Sequence, residues 1–480
     1  MRGNYFGRNT SFFKRSLFFR FSNFFRFLVA FMAKTASNSD QKHFNHTLTD
    51  PTPADLLATH PHLRLDSSGL MLENVSLKMI ADTVGTPCWV IGGGVIKERL
   101  RRLKTAMHTA GLNVHFHYAV KANDHYAILS LIKNEGYGAD IVSFGELSRT
   151  QKAGIPAQQV VFSGIGKTKT EIEQALGLGI GQINVESAEE LAIISAIATG
   201  MGKKAPIVLR INPDIDAQTH SKITTGLSHN KFGIPFVDAM ALYTHAARLP
   251  GINLLGFATH IGSQILTMDP YRAAYARMAS LVRAARAQGL FVHVVDCGGG
   301  LGISYNTTPE AQPEDLAKVI HAELGALDVR LVLEPGRWIV GPAGVLLSRV
   351  ILRKEQGMAV PFLVIDSAMN DLLRPSLYEA WHGILPLSAE AFQQPLDKTH
   401  VVGPVCESSD CFAQNRLLPK LQQQDYLAIL DTGAYGSVMS STYNSRPLAA
   451  HVLVDNNSWK IIQERQTIED LWRGELSPLY

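Results

Sequence analysis

Lys121 has the most unusual chemical setting in this chain. It follows His115-Phe116-His117-Tyr118-Ala119-Val120 and precedes Ala122-Asn123. Residues 114 to 120 are largely aromatic or β-branched, with turn formers downstream, which predicts a short buried strand that Lys121 closes. An ammonium buried there without a partner costs several kcal/mol, of order ~3. A neutral amine escapes that cost and can condense with an aldehyde to a Schiff base. The alternative is a lysine that snorkels from a strand end with its charge in water.

Other chemistry-bearing residues recur at similar places. Apolar, strand-like runs fall at 114–121, 139–143, 160–163, 182–186, 206–212, 254–262, 292–297 and 330–334. Read in order, their ends are Lys121, Asp140, Ser163-Gly164, Glu186-Ser187, Arg210 to Asn212, His260, Asp296 to Gly300 and Glu334 to Arg337. Most carry ionisable side chains, which favours an active site over a structural explanation. Gly298-Gly299-Gly300 with Gly302 is a run whose backbone N–H groups can face one concavity and cradle a phosphate. Gly166-Lys167-Thr168 looks like the tail of a P-loop, but Val161 stands where that motif needs glycine.

The elements that must position these residues follow from the same spacing. Helical patterns at 124–134, 145–153, 169–177, 188–199 and 271–288 lie between the strand-like runs. Eight such units over about 220 residues predict parallel strands, right-handed crossovers and closure as a (β/α)8 barrel. After Arg337 the rhythm changes. Runs at 344–352, 360–366, 400–402, 425–430 and 449–454 are β-rich without long helices between them. The expected division is a disordered extension over 1–50, a segment over 51–90 that packs with the β domain, the barrel over 91–337 and the β-rich domain over 338–480.

Composition bounds the function. With 480 residues the chain is too long for one ordinary core, and 46% apolar with 18% charged residues is a globular balance. The net charge of +3 misleads, because residues 1–31 hold six Arg and Lys and no acid. The rest is slightly acidic, which excludes a nucleic-acid-binding class. No apolar run is long enough for a membrane span. Four scattered cysteines, Cys88, Cys297, Cys406 and Cys411, fit a reducing compartment such as the cytoplasm. Cys406 and Cys411 lack a histidine partner, so no metal is expected. Ten of the 21 phenylalanines crowd residues 1–31. That stretch reads as a non-native extension with Met32 as the functional start, or as an organelle transit peptide.

Taken together, these stretches resemble the diaminopimelate decarboxylases, pyridoxal phosphate enzymes of fold-type III. The matching pieces are Tyr118-Ala-Val-Lys-Ala-Asn123, Gly138-Ala-Asp140, Gly145-Glu146-Leu147, Phe162-Ser-Gly164, Asn184-Val-Glu-Ser187 and Arg210-Ile-Asn-Pro213. Thr225-Gly226, Asn230-Lys-Phe-Gly233, His260-Ile-Gly-Ser-Gln264, Gly298-Gly-Gly300 and Glu334-Pro-Gly-Arg337 continue the match. Arg374-Pro-Ser-Leu-Tyr378, Cys406-Glu-Ser-Ser-Asp410 and Gly433-Ala-Tyr435 complete it. Several pieces are shared with ornithine and arginine decarboxylases. The Arg-Pro-Ser-Leu-Tyr and Cys-Glu-Ser-Ser-Asp pieces point more narrowly.

The resemblance implies a pyridoxal-phosphate-binding (β/α)8 barrel plus a mainly β second domain. It implies that Lys121 carries pyridoxal 5'-phosphate and that His260 stacks on its ring. Glu334 would face the pyridine nitrogen and keep it protonated, which favours decarboxylation over racemisation. Asp140, Ser263, Gly299, Gly336, Arg337 and Tyr435 would complete the cofactor site. Arg337, Arg374, Tyr378, Glu407 and Tyr435 would recognise a diamino-dicarboxylate substrate, the arginines through its carboxylate. Cys406 would protonate the α-carbon, as a thiol with a reference pKa of ~8.5 can near neutral pH. In the family the Cys-Glu stretch enters the partner subunit's site, which implies a homodimer. The activity implied is conversion of meso-2,6-diaminoheptanedioate to L-lysine and CO2. The alternatives are an ornithine- or arginine-type decarboxylase and an inactive regulatory paralogue.

Overall fold

Eight parallel strands close on themselves in the computed structural model, which describes residues 50–217, 226 and 231–476. The N-terminal extension, its proposed start at Met32 and the matched residues Thr225 and Asn230 lie outside the described residues. The barrel strands are β1 (Val114–Ala119), β2 (Gly138–Ile141), β3 (Val160–Phe162), β4 (Gln182–Val185), β5 (Ala205–Asn212), β6 (Ile252–Ala258), β7 (Val294–Asp296) and β8 (Arg330–Leu333). Each pairs in parallel with the next, and β8 returns to β1 with Val332 opposite His115. Strand runs and helical patterns alternate where the sequence places them, because parallel neighbours need a crossover helix between them.

The helices start where short polar side chains can cap them. Ser143 caps Phe144–Lys152, Ser187 caps Ala188–Gly200, and Thr168 with Glu171 forms a capping box on Lys169–Leu178. This gives Gly166-Lys167-Thr168 a structural job. Lys167 Nζ ties the β3 and β4 ends together by donating to Gly164 O at 2.5 Å, Asn184 O at 2.8 Å and Glu190 Oε1 at 2.9 Å.

The second sheet is built around the long strand Gly344–Gln356. It pairs antiparallel with Ala359–Ile365, Tyr426–Ile429 and Cys88–Gly92. Cys88–Gly92 in turn pairs parallel with Ala450–Asp455, so chain from before the barrel sits inside the C-terminal sheet. No helix among the described residues is long and apolar enough to cross a membrane.

Candidate active site

Inward and outward positions alternate along a barrel strand. Val208, Ala258, Val294 and Val332 form a small apolar plug inside the barrel. Two residues further along the same chains stand Arg210, His260, Asp296 and Glu334, so period two delivers four polar groups above that plug. Gln182, Asn184 and Glu186 follow the same rule on β4. These groups line or underlie a cavity of about 370 Å³ bordered by Lys121, Ser163, Asn184, Arg210, His260 and Glu334.

The predicted strand ends earlier than the sequence suggests. β1 stops at Ala119, and Lys121 lies in a single 3-10 turn, Val120–Ala122. Its ammonium pairs with the fully buried Asp140, and 34% of the lysine side chain remains exposed. Burial opposes that charge, but the Asp140 carboxylate, the largest opposing influence, outweighs it and holds Lys121 above the usual lysine range. The lysine therefore meets its burial cost by pairing, where the sequence reading offered a neutral amine or a snorkelling one. Asp140 Oδ1 has no hydrogen-bond partner, so half of this carboxylate is open to another donor.

Beneath Lys121 the polar groups form one network. Gln182 Nε2 donates to Asp296 Oδ2 and Asn184 Oδ1, each at 2.8 Å. Asn184 Nδ2 donates to Ser163 Oγ at 2.9 Å and to Glu334 Oε1 at 3.1 Å. Burial, reinforced by the charges of Asp140 and Asp296, pushes the Glu334 carboxyl well above the usual carboxylate range, against the pull of Lys121. Burial raises Asp296 as well, but Glu334 is pushed further, so of the two it is the one favoured to carry a proton. His260 is neutral, because burial and then the charges of Arg210 and Lys121 drive its pKa down. Its Nδ1 accepts the Gly299 N–H at 3.1 Å, which places the ring proton on Nε2.

The glycine run threads through closely packed backbone. Two of its N–H groups are already bonded inside the protein, Gly298 to Asp296 Oδ1 at 3.0 Å and Gly299 to His260. The run is glycine because it threads between backbones. A Cβ on Gly298 would lie 2.3 Å from Thr259 O, and one on Gly299 would lie 2.2 Å from Glu334 O. Gly336 serves close approach too, since its Cβ would lie 3.0 Å from that of Ala119. That contact seats the short helix Arg337–Val340 against the Lys121 turn.

Beside the cavity lies a second, cationic cluster. Arg337 donates to Ser263 Oγ through Nη2 at 3.0 Å and to the Tyr305 hydroxyl through Nη1. Its guanidinium covers the Tyr435 ring at 4.8 Å, and Tyr435 N–H donates to Ala122 O at 2.8 Å beside Lys121. Arg374 packs over Tyr305 at 4.5 Å and donates from Nη1 to His382 Nε2 at 2.7 Å. Tyr378 lies close enough to act electrostatically on both guanidinium groups.

Cys406 and Glu407 are not part of either cluster in this chain. Both are exposed, with Cys406 N–H donating to Asn444 Oδ1 at 3.1 Å and Glu407 Oε1 accepting from Ser409 Oγ at 2.7 Å. Sequence reasoning missed several supporting groups. Asn184 could have been found from its period-two setting between Gln182 and Glu186. Tyr305 and His382 stand in irregular segments where no periodicity marks them.

The residues fit pyridoxal phosphate. An amine faces a cavity of suitable size, a buried carboxylate oxygen beside it lacks a donor, and a protonated carboxyl closes the floor. Beyond Tyr435, whose N–H donates to the Lys121 turn, stand two arginines for which no ion-paired carboxylate is found among the described residues.

Comparison with known proteins gives the same direction. Residues 94–341 match the family described as pyridoxal-dependent decarboxylase, pyridoxal binding domain. The diaminopimelate decarboxylase of Zymomonas mobilis is 44% identical over 414 residues, covering 86% of this chain and 97% of that protein. The diaminopimelate decarboxylase of Helicobacter pylori, solved in complex with L-lysine, is 40% identical and superposes with a TM-score of 0.80, covering 83% of this chain and 98% of that one. The diaminopimelate decarboxylase of M. jannaschii, also in complex with L-lysine, is 33% identical with a TM-score of 0.83, over 87% of this chain and 98% of that one.

Proposed function

This chain belongs to the diaminopimelate decarboxylases, and from that premise we infer that it converts meso-2,6-diaminoheptanedioate to L-lysine and CO2. The carboxylate lost is the one on the D-configured centre. Pyridoxal phosphate, when bound, supplies the electron sink for the pair left as CO2 departs.

The chain's own residues hold, orient and protonate. Lys121 would hold the cofactor through its amine, with Asp140 as counter-ion. Glu334 would face the pyridine nitrogen, and the proton that it carries at the barrel floor suits it to keep that nitrogen protonated. Neutral His260 would lie against the ring. Ser263, Gly299, Gly336, Arg337 and Tyr435 would complete the cofactor site. Arg337, Arg374, Tyr378 and Tyr435 would receive the distal carboxylate, with the planar guanidinium forks matching its two oxygens.

Cys406 and Glu407 act across a homodimer. Each chain exposes this pair and lends it to the partner's site, where Glu407 meets the distal ammonium and the Cys406 thiol protonates the α-carbon. The exposure of both residues in the single chain supports that assignment.

The observation that carries the substrate reading is the pair of adjacent guanidinium groups beside the lysine cavity, which a diamine precursor lacking a distal carboxylate would leave unmatched. A substrate panel tests it: purified protein supplied with cofactor should decarboxylate meso-diaminopimelate and leave ornithine and arginine unchanged. Turnover of ornithine without turnover of diaminopimelate would overturn the reading.

A further inference from the structure

Two buried guanidinium groups side by side repel each other, and such groups are normally paired with carboxylates. Arg337 and Arg374 are both buried, and no ion pair to either is found among the described residues. Their acceptors are all neutral: the Ser263 and Tyr305 hydroxyls for Arg337, and the His382 ring for Arg374. Tyr305 stands between the two arginines and meets the His382 ring edge-on at 5.2 Å.

The tautomer of His382 is set from both sides. Leu430 O can only accept, so Nδ1, 2.7 Å away, carries the proton. Arg374 can only donate, so Nε2 accepts. Burial and the neighbouring charges of Arg374, Arg416 and Arg337 disfavour a second proton. The backbone around the ring is pinned too, because Arg416 Nη1 donates to His382 O at 2.6 Å.

We propose that His382 is the positioning residue of the substrate pocket, holding Arg374 in place through a neutral acceptor so that its charge stays available to the substrate's distal carboxylate. A carboxylate at the same place would hold Arg374 equally well and neutralise it. An apolar residue would leave the charge but lose the orientation. Neutral imidazole does both jobs, with Tyr305 playing the matching part for Arg337. This rests on the decarboxylase reading above and adds a residue that determines its specificity.

The test compares two inhibitors that differ by one carboxylate, L-lysine and cadaverine, on cofactor-loaded protein. Wild type should bind L-lysine more tightly. His382→Leu should shrink that preference by about ten-fold or more, and His382→Glu should shrink it at least as far. His382→Gln, which offers a neutral oxygen near the position of Nε2, should keep the preference within about three-fold. Cofactor absorbance should persist in all three variants and shows that the fold is intact. His382→Met replaces His382→Leu, and His382→Asp replaces His382→Glu, if either does not load. An unchanged preference in both His382→Leu and His382→Glu overturns the proposal, as does an equal loss for both inhibitors, which marks a merely structural role. A wild type that binds both equally overturns the proposal together with the substrate reading beneath it.

Discussion

Burial and the charges of Asp140 and Asp296 favour a proton on Glu334 at the barrel floor. A carboxyl whose pKa is raised by folding keeps its proton where the unfolded chain has already lost it. Stability therefore falls as pH rises above the unfolded value of about 4.3, by up to about 1.4 kcal/mol per pH unit, until the folded pKa is reached. Glutamine cannot titrate, so Glu334→Gln should relieve this penalty. In cofactor-free protein the variant should gain on wild type as pH rises above about 5 and match it below about pH 4, as read by urea melts at each pH. Parallel curves would show that Glu334 is ionised in the folded protein. The same variant should lose most activity, because an amide cannot keep a pyridine nitrogen protonated. Lys121 and Glu334 were legible as residues from their places at strand ends. Their protonation states were not, because Asp140, Asp296 and Asn184 come from three other strands and meet them only in the closed barrel.

The barrel strands show why so much of this site could be read in advance. Parallel strands buried on both faces are continuous apolar runs, so ionisable residues at their ends stand out. That contrast marked Asp140, Arg210, His260 and Glu334. It gave no hint of Tyr305 or His382, which lie in irregular chain and owe their roles to Arg337 and Arg374. The glycine run was legible as a special element, but its close approach to two backbones was not, because those backbones come from other strand ends. Two of its N–H groups bond to Asp296 and His260, and the run passes within touching distance of Glu334 and Thr259. Gly299→Ala should displace the end of β8 and weaken pyridoxal phosphate binding about ten-fold or more by equilibrium titration. Gly166→Ala, whose added Cβ meets nothing within 4 Å, should leave binding unchanged. Equal affinities for the two variants would remove close approach as the reason for glycine.

At the scale of the whole molecule, Cys406, the proposed proton donor, is exposed and does not line the cavity of Lys121, the residue proposed to hold the cofactor. If each site takes Cys406 and Glu407 from its partner, a Lys121→Ala chain and a Cys406→Ala chain should rescue one another. Random reassociation of equal amounts makes half of the dimers hybrid, each with one intact site of two, so about a quarter of wild-type activity should return. Mixtures as inactive as their parents would place both residues in one subunit's site. On the proposed assignment the architecture distinguishes the two ends of the substrate, one over Lys121 and the barrel floor and the other against Arg337 and Arg374. The most direct test labels meso-diaminopimelate in one carboxylate at a time and follows the label after turnover by the full chain. All label from the D-configured centre should leave as CO2, and all label from the L-configured centre should remain in L-lysine. Release of the L-centre label, or no release of either, would contradict the account.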